Sequence, residues 1–155
     1  MDETDYYFIP DQETIFKLVH VINRHGKDGT WMAVDVEGIK KQPYAIKAAD
    51  SIPAGSLQEL EHPPDDLIKL QHVNRPGILH TLRSRFYSDK IYTSIGPILV
   101  ALNPFKWIAG IYEEEVKDRY KDNSFNLSEN PHVFAVAHDA YCDLTFGKDQ
   151  SLIIR

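Results

Sequence analysis

The chain has 155 residues, of which 43% are hydrophobic and 26% charged. That composition excludes a disordered chain and leaves room for one ordinary domain or two small ones. A formal charge of -6 with no dense Lys/Arg cluster argues against nucleic acid or an anionic membrane as a bulk electrostatic partner. The single cysteine, Cys142, rules out an internal disulfide and fits a reducing cytosol. No apolar run reaches the roughly 18 residues of a spanning helix, so no transmembrane segment is expected. The acidic start, MDETDYYFIP, is unlike a signal peptide.

Residues 1–9 read as an acidic lead-in. From residue 10 to 50 the pattern is that of short antiparallel strands: IFKLVHVI at 15–22, the two-glycine hairpin signal HGKDG at 25–29, TWMAVDV at 30–36, a turn at Glu37-Gly38, and a third run at 42–47. Three or more such strands in so short a stretch predict a small antiparallel β-barrel. Residues 51–63, beginning SIPAGS, read as a linker. Pro63 and Pro64 close it, and Asp65 or Asp66 is placed to cap a helix carrying Leu67, Ile68 and Leu70. After Asn74-Arg75-Pro76-Gly77 a second helix is expected, with Ile78, Leu79, Leu82 and Phe86 on one face and Pro76 in its first turn. Arg83 and Arg85 read as a solvated face.

A strand at 91–94 leads into the apolar run of 97–102, PILVAL, bounded by Gly96-Pro97 and Asn103-Pro104. The run lacks alternation and is too short for an amphipathic helix, so it predicts a strand buried on both faces, with a kink, bulge or edge position at Pro97. In open α/β sheets ligands gather beyond the carboxyl ends of strands, where Asn103-Pro104 falls. Glu113-Glu114-Glu115 opens a further helix with Val116 and Tyr120 inward. Residues 121–129 read as a polar loop. Pro131 starts the last helix, striped by Val133, Phe134, Ala137, Tyr141 and Leu144 and stopped by Gly147, and QSLII at 150–154 reads as a final strand. His138 and Cys142 are one turn apart on that helix, without the further ligands a metal needs or an oxyanion arrangement a nucleophile needs.

Two long phrases, DDLIKLQHVNRPGILHTLRSRFYSDKIYTSIGPILVALNPFK and NPHVFAVAHDAYCDLTFGKDQSLII, occur in order, and together they closely resemble the opening of a myosin motor head. The resemblance covers about residues 64–154. The β-rich segment before it resembles, more weakly, the small Src-homology-3-like barrel that precedes many such heads. The implied fold is α+β to α/β: the barrel, then helices and strands of the central mixed sheet of a P-loop motor ATPase, over residues 64–155. In the family an N-P-x-K loop and a tyrosine several residues later grip the adenine ring. Asn103, Pro104, Phe105 and Lys106 match it, and Tyr112 matches if the loop carries one extra residue. Trp107 stands where relatives often carry a basic residue. On its residues alone, Asn-Pro after a strand is simply a turn.

The resemblance further implies ATP and magnesium as cofactors, actin filaments, the remainder of the head and light chains as partners, and a cytoplasmic, cytoskeletal place in a myosin complex. It also implies that the phosphate loop, G-x-x-x-x-G-K-[ST], follows the strand resembling DQSLII. No such loop lies within the 155 residues, nor any sequence resembling the two switch segments, so the chain alone is expected to be catalytically inactive. An alternative of another class stays open: a stand-alone, non-catalytic interaction protein with a β-barrel binding module and a vestigial motor segment.

Overall fold

The computed structural model describes residues 5–24, 26–37, 42–122 and 125–155. The expected hairpin at 25–29, the turn at 37–38 and the loop at 121–129 each include residues outside this set. The chain divides into two compact units, residues 1–64 with Leu70–Thr81, and Asp65–Lys69 with Leu82–Arg155.

The first unit is built on β1 (Tyr6–Asp11), β2 (Ile15–Asn23), β3 (Thr30–Asp35), β4 (Tyr44–Lys47) and β5 (Ile52–Pro53). They form one antiparallel five-stranded sheet in the order β4-β3-β2-β1-β5. The strands are antiparallel as the alternation predicts, but the two outer strands, β4 and β5, are not hydrogen-bonded to each other. Apolar side chains pack on both faces of the sheet, and β1 and β2 each contribute to both. Tyr7, Val19, Val21, Ala33 and Ile46 form a cluster on one face, and Phe8, Leu18, Ala54 and Leu60 form another. This two-sided burial turns part of the acidic lead-in into strand β1.

Helix α1 (Leu57–Glu61) lies in the stretch read as a linker. Its signal is a Ser-x-x-Glu capping pattern: the Ser56 hydroxyl accepts from the Glu59 N–H at 3.3 Å. The Glu59 carboxylate accepts from the Gln71 N–H at 2.9 Å, and Asn74 donates through Nδ2 to the Pro53 carbonyl at 2.9 Å. Helix α2 (Arg75–Tyr87) follows with Pro76 in its first turn, as predicted, and the Asn74 side chain accepts the Gly77 N–H at 2.8 Å.

In the second unit the helix expected at residue 65 is a single 3₁₀ turn, Leu67–Lys69. Strands β6 (Tyr92–Ile95) and β7 (Ile98–Ala101) form a two-stranded antiparallel hairpin whose turn is Gly96-Pro97. Gly96 has φ +55°, and Pro97 holds its own φ near -65°, which together match a type II′ turn. The expected kink inside a strand is therefore a strand reversal. Strand β7 is also not buried on both faces: β6 alone pairs with it among the described residues, and Ile98 is 61% exposed. Residues 150–154 carry no strand, because no described segment offers them a ladder. Arg85, read as solvated, is 3% exposed. Its guanidinium donates to Asp65 at 2.6 Å, the Thr93 hydroxyl at 2.9 Å and the Tyr92 carbonyl at 2.7 Å, so charge and donors are answered in place.

Helix α3 (Glu114–Lys121) buries Tyr120, as its spacing predicts. Helix α4 (Val133–Thr145) ends before Gly147, which has φ +78°. Its expected stripe is mostly outward: Val133, Ala137, Tyr141 and Leu144 are exposed and Phe134 is half-buried, whereas Ala135, outside that stripe, is buried. No helix among the described residues is long and apolar enough to cross a membrane.

Candidate functional site

Strand β7 delivers the candidate loop. The Leu102 N–H donates to the Ile91 carbonyl at 3.0 Å, the last rung before the chain leaves the hairpin. Asn103 then folds on itself: its Oδ1 accepts the Phe105 N–H at 2.9 Å, an Asx turn across Pro104. That commits the amide oxygen to the loop and leaves the two Nδ2 hydrogens as the donors Asn103 can offer a ligand. Phe105 sits at φ +50° with its ring 91% exposed. A bulky residue in this left-handed region is strained, and such outliers concentrate at functional loops. Lys106 pairs with Asp89 at 2.5 Å, both half exposed or more, so the contact adds little stability. Trp107 is exposed as well.

Tyr112 closes the loop and is held differently. Its hydroxyl lies 2.8 Å from that of Tyr92 on β6. Its ring contacts His132 and Phe134 at centroid distances of 5.7 and 6.3 Å. Burial, reinforced by the Tyr112 hydroxyl, pushes the Tyr92 phenol well above its usual range. Tyr112 itself remains half exposed, so part of the ring is open to a ligand while the hydroxyl is engaged.

His132 caps α4. Its Nδ1 accepts the Phe134 N–H at 3.1 Å, which assigns the proton of the neutral ring to Nε2. The ring stacks on Tyr120 at 5.6 Å and meets Tyr92 edge-on at 4.7 Å. It is only 5% exposed, and Nε2 has no partner at hydrogen-bonding geometry among the described residues. Burial pushes its pKa down, while the Ile111 backbone works in the opposite direction, and the outcome favours the neutral, capping form.

Of the five residues expected from the sequence, Asn103, Pro104 and Phe105 share one Asx turn, Lys106 is tied to Asp89, and Tyr112 is tied to Tyr92. Sequence reasoning missed Tyr92 and His132. The available signal for His132 was its place just before the α4 stripe, at a cap position histidine seldom fills. Elsewhere, Cys142 Sγ lies 3.4 Å from His138 Nε2, and no group of three or more His, Cys, Asp or Glu side chains among the described residues could hold a metal ion.

Residues 64–155 match the family model described as myosin head (motor domain). Myosin-13 of Arabidopsis thaliana is 36% identical over 137 residues, covering 82% of this chain and 9% of that protein. Myosin-14 of the same plant is 31% identical over 151 residues, covering 95% of this chain and 9% of its own length. The myosin IC heavy chain of Dictyostelium discoideum is 41% identical over 90 residues, covering 58% of this chain and 8% of that protein. The chain belongs to the myosin head family, and it spans less than a tenth of each of these relatives.

Proposed function

We propose that this chain is the N-terminal part of a myosin whose complete form couples ATP hydrolysis to movement on actin filaments in the cytoplasm. The observation that carries the reading is the continuous family match over residues 64–155. The magnesium ligands, the phosphate loop, the switch segments, the actin-binding surface and the light-chain sites would be supplied by parts of the protein outside these residues. The central mixed sheet of a P-loop ATPase would likewise be completed there, with β7 and residues 150–154 finding neighbours. An antibody raised against residues 10–50 tests this in extract of the source cells. A product several times heavier than 17.8 kDa that sediments with filamentous actin and is released by MgATP is expected. A product of 17.8 kDa alone, indifferent to actin, would overturn the motor reading and favour the non-catalytic interaction protein.

Within that motor, residues 103–106 and Tyr112 would contact the adenine ring. Asn103 Nδ2 would donate to a ring nitrogen, and Tyr112 would offer its exposed ring face, with Pro104 limiting the loop's freedom. Alone, such contacts are worth about 1–3 kcal/mol, on the scale of base stacking, which is at best roughly millimolar affinity. Adenosine 5′-monophosphate added to the full 155-residue chain is expected to shift the amide resonances of Asn103, Phe105 and Tyr112. Ribose 5-phosphate, which lacks the purine, should not. Equal shifts from both compounds, or none from either, would remove the purine assignment.

A further inference from the structure

We infer that Tyr92 and His132 are positioning residues for Tyr112, fixing its ring in the orientation in which it meets the purine. The inference rests on the purine reading of the loop and adds to it two residues that lie outside the loop.

Tyr112 reaches its place at the far end of the loop. It ends a ten-residue excursion, 103–112, that contains Gly110 at φ +80° and no helix or strand. At the start of the loop the Asx turn holds residues 103–105, and the Lys106 pair with Asp89 is solvent-exposed. Nothing in those contacts orients a side chain six residues further on. The Tyr112 orientation is set from behind. Tyr92, 9% exposed on β6, presents its hydroxyl at 2.8 Å to the Tyr112 hydroxyl. His132 lays its ring against Tyr112 at 5.7 Å.

Both supports are themselves held. Tyr92 is paired in the hairpin through its register with Ala101. His132 is locked by its bond to the Phe134 N–H and by stacking on Tyr120, whose hydroxyl donates to the Asn130 carbonyl at 2.8 Å. The chain of support runs from α3 through the cap of α4 to the loop. A side chain already ordered gives up less freedom when a ligand docks on it, and that difference appears as affinity. Tyr92 also occupies one side of the Tyr112 hydroxyl, so fewer hydrogen-bond directions remain there for a ligand.

The test uses the full chain with ring-labelled tyrosine and adenosine 5′-monophosphate as the probe. Tyr92→Phe removes one oxygen and little else. It is expected to move the Tyr112 Cζ resonance, speed the flipping of that ring, and weaken binding of the nucleotide about three- to tenfold, the scale of one neutral hydrogen bond. The Asn103 shifts should keep their direction. His132→Asn keeps an oxygen able to cap α4 and removes only the ring. It is expected to free the Tyr112 ring while leaving the helix signals of α4 in place. Wild-type Cζ position, ring flipping and affinity in Tyr92→Phe would overturn the inference. Failure of the purine reading looks different: the nucleotide then leaves Asn103 and Tyr112 of the wild-type chain unshifted, although Tyr92→Phe still moves the Tyr112 Cζ signal.

Discussion

Asp66 shows how backbone donors can outweigh burial. It is 5% exposed, and burial alone would raise its pKa. Its Oδ1 accepts the N–H groups of Ile68 and Gly96, each at 3.1 Å, and Lys69 and Ser128 add to the pull. The carboxyl is therefore held below its ordinary value. A depressed acid pKa contributes stability that is complete above the unfolded value near about 3.9. That stability is lost as pH falls through the lower folded value. Asp66→Ala orphans two backbone donors and is expected to cost about 2 kcal/mol at neutral pH. The difference from wild type should shrink as the solution is acidified below about pH 4, measured by urea unfolding at several pH values. A difference unchanged at low pH would show that the carboxylate charge plays no part. Neither this residue nor Arg85 was legible in its true role. The segments they join, 65–66 with 92–96, lie about thirty positions apart, and a charged residue on an apolar helix reads as solvated until its partners are known.

At the scale of elements, the two readings that shifted share one cause. The run at 97–102 and the run at 150–154 are apolar enough for buried strands, and burial on both faces requires neighbours on both edges. The alternation of β2 to β4 was legible because each of those strands finds its neighbour within about twenty residues. Strand β7 has β6 on one side, through the Gly96-Pro97 reversal, and its other edge is unpaired among the described residues. Such an edge, with Ile98 61% exposed and Leu152, Ile153 and Ile154 between 63% and 95% exposed, is a template for self-association. The wild-type chain is expected to associate as its concentration rises, read by light scattering on a sizing column. Ile98→Lys should reduce that association while changing unfolding stability by no more than about 0.5 kcal/mol, as for an exposed substitution. A wild-type chain that stays monomeric across the series would count against an adhesive edge and for a self-sufficient fold.

Over the whole molecule, the candidate site is half legible for a chemical reason. Asn103 to Lys106 is a local sentence, readable by its spacing and by its likeness to a family. The hold on Tyr112 joins residues twenty apart through two hydroxyls and a capping histidine, and nothing in the spacing announces it. The same molecule-wide view separates the purine from the phosphates. The chain carries a net charge of -6 and no G-x-x-x-x-G-K-[ST] loop in its 155 residues. A triphosphate therefore brings charge that these residues have no cradle to neutralise. MgATP is expected to bind the chain no more tightly than adenosine 5′-monophosphate. At low ionic strength it should bind more weakly, because like charges repel. That gap should close as salt rises to about 0.15 M, where screening acts over about 8 Å. Phosphate release should not exceed that of a buffer blank. Resonance shifts followed in parallel titrations at two salt concentrations read this directly. Binding of MgATP ten times tighter than the monophosphate would place a phosphate site among these residues and overturn the division of labour in which this segment supplies only the purine contact.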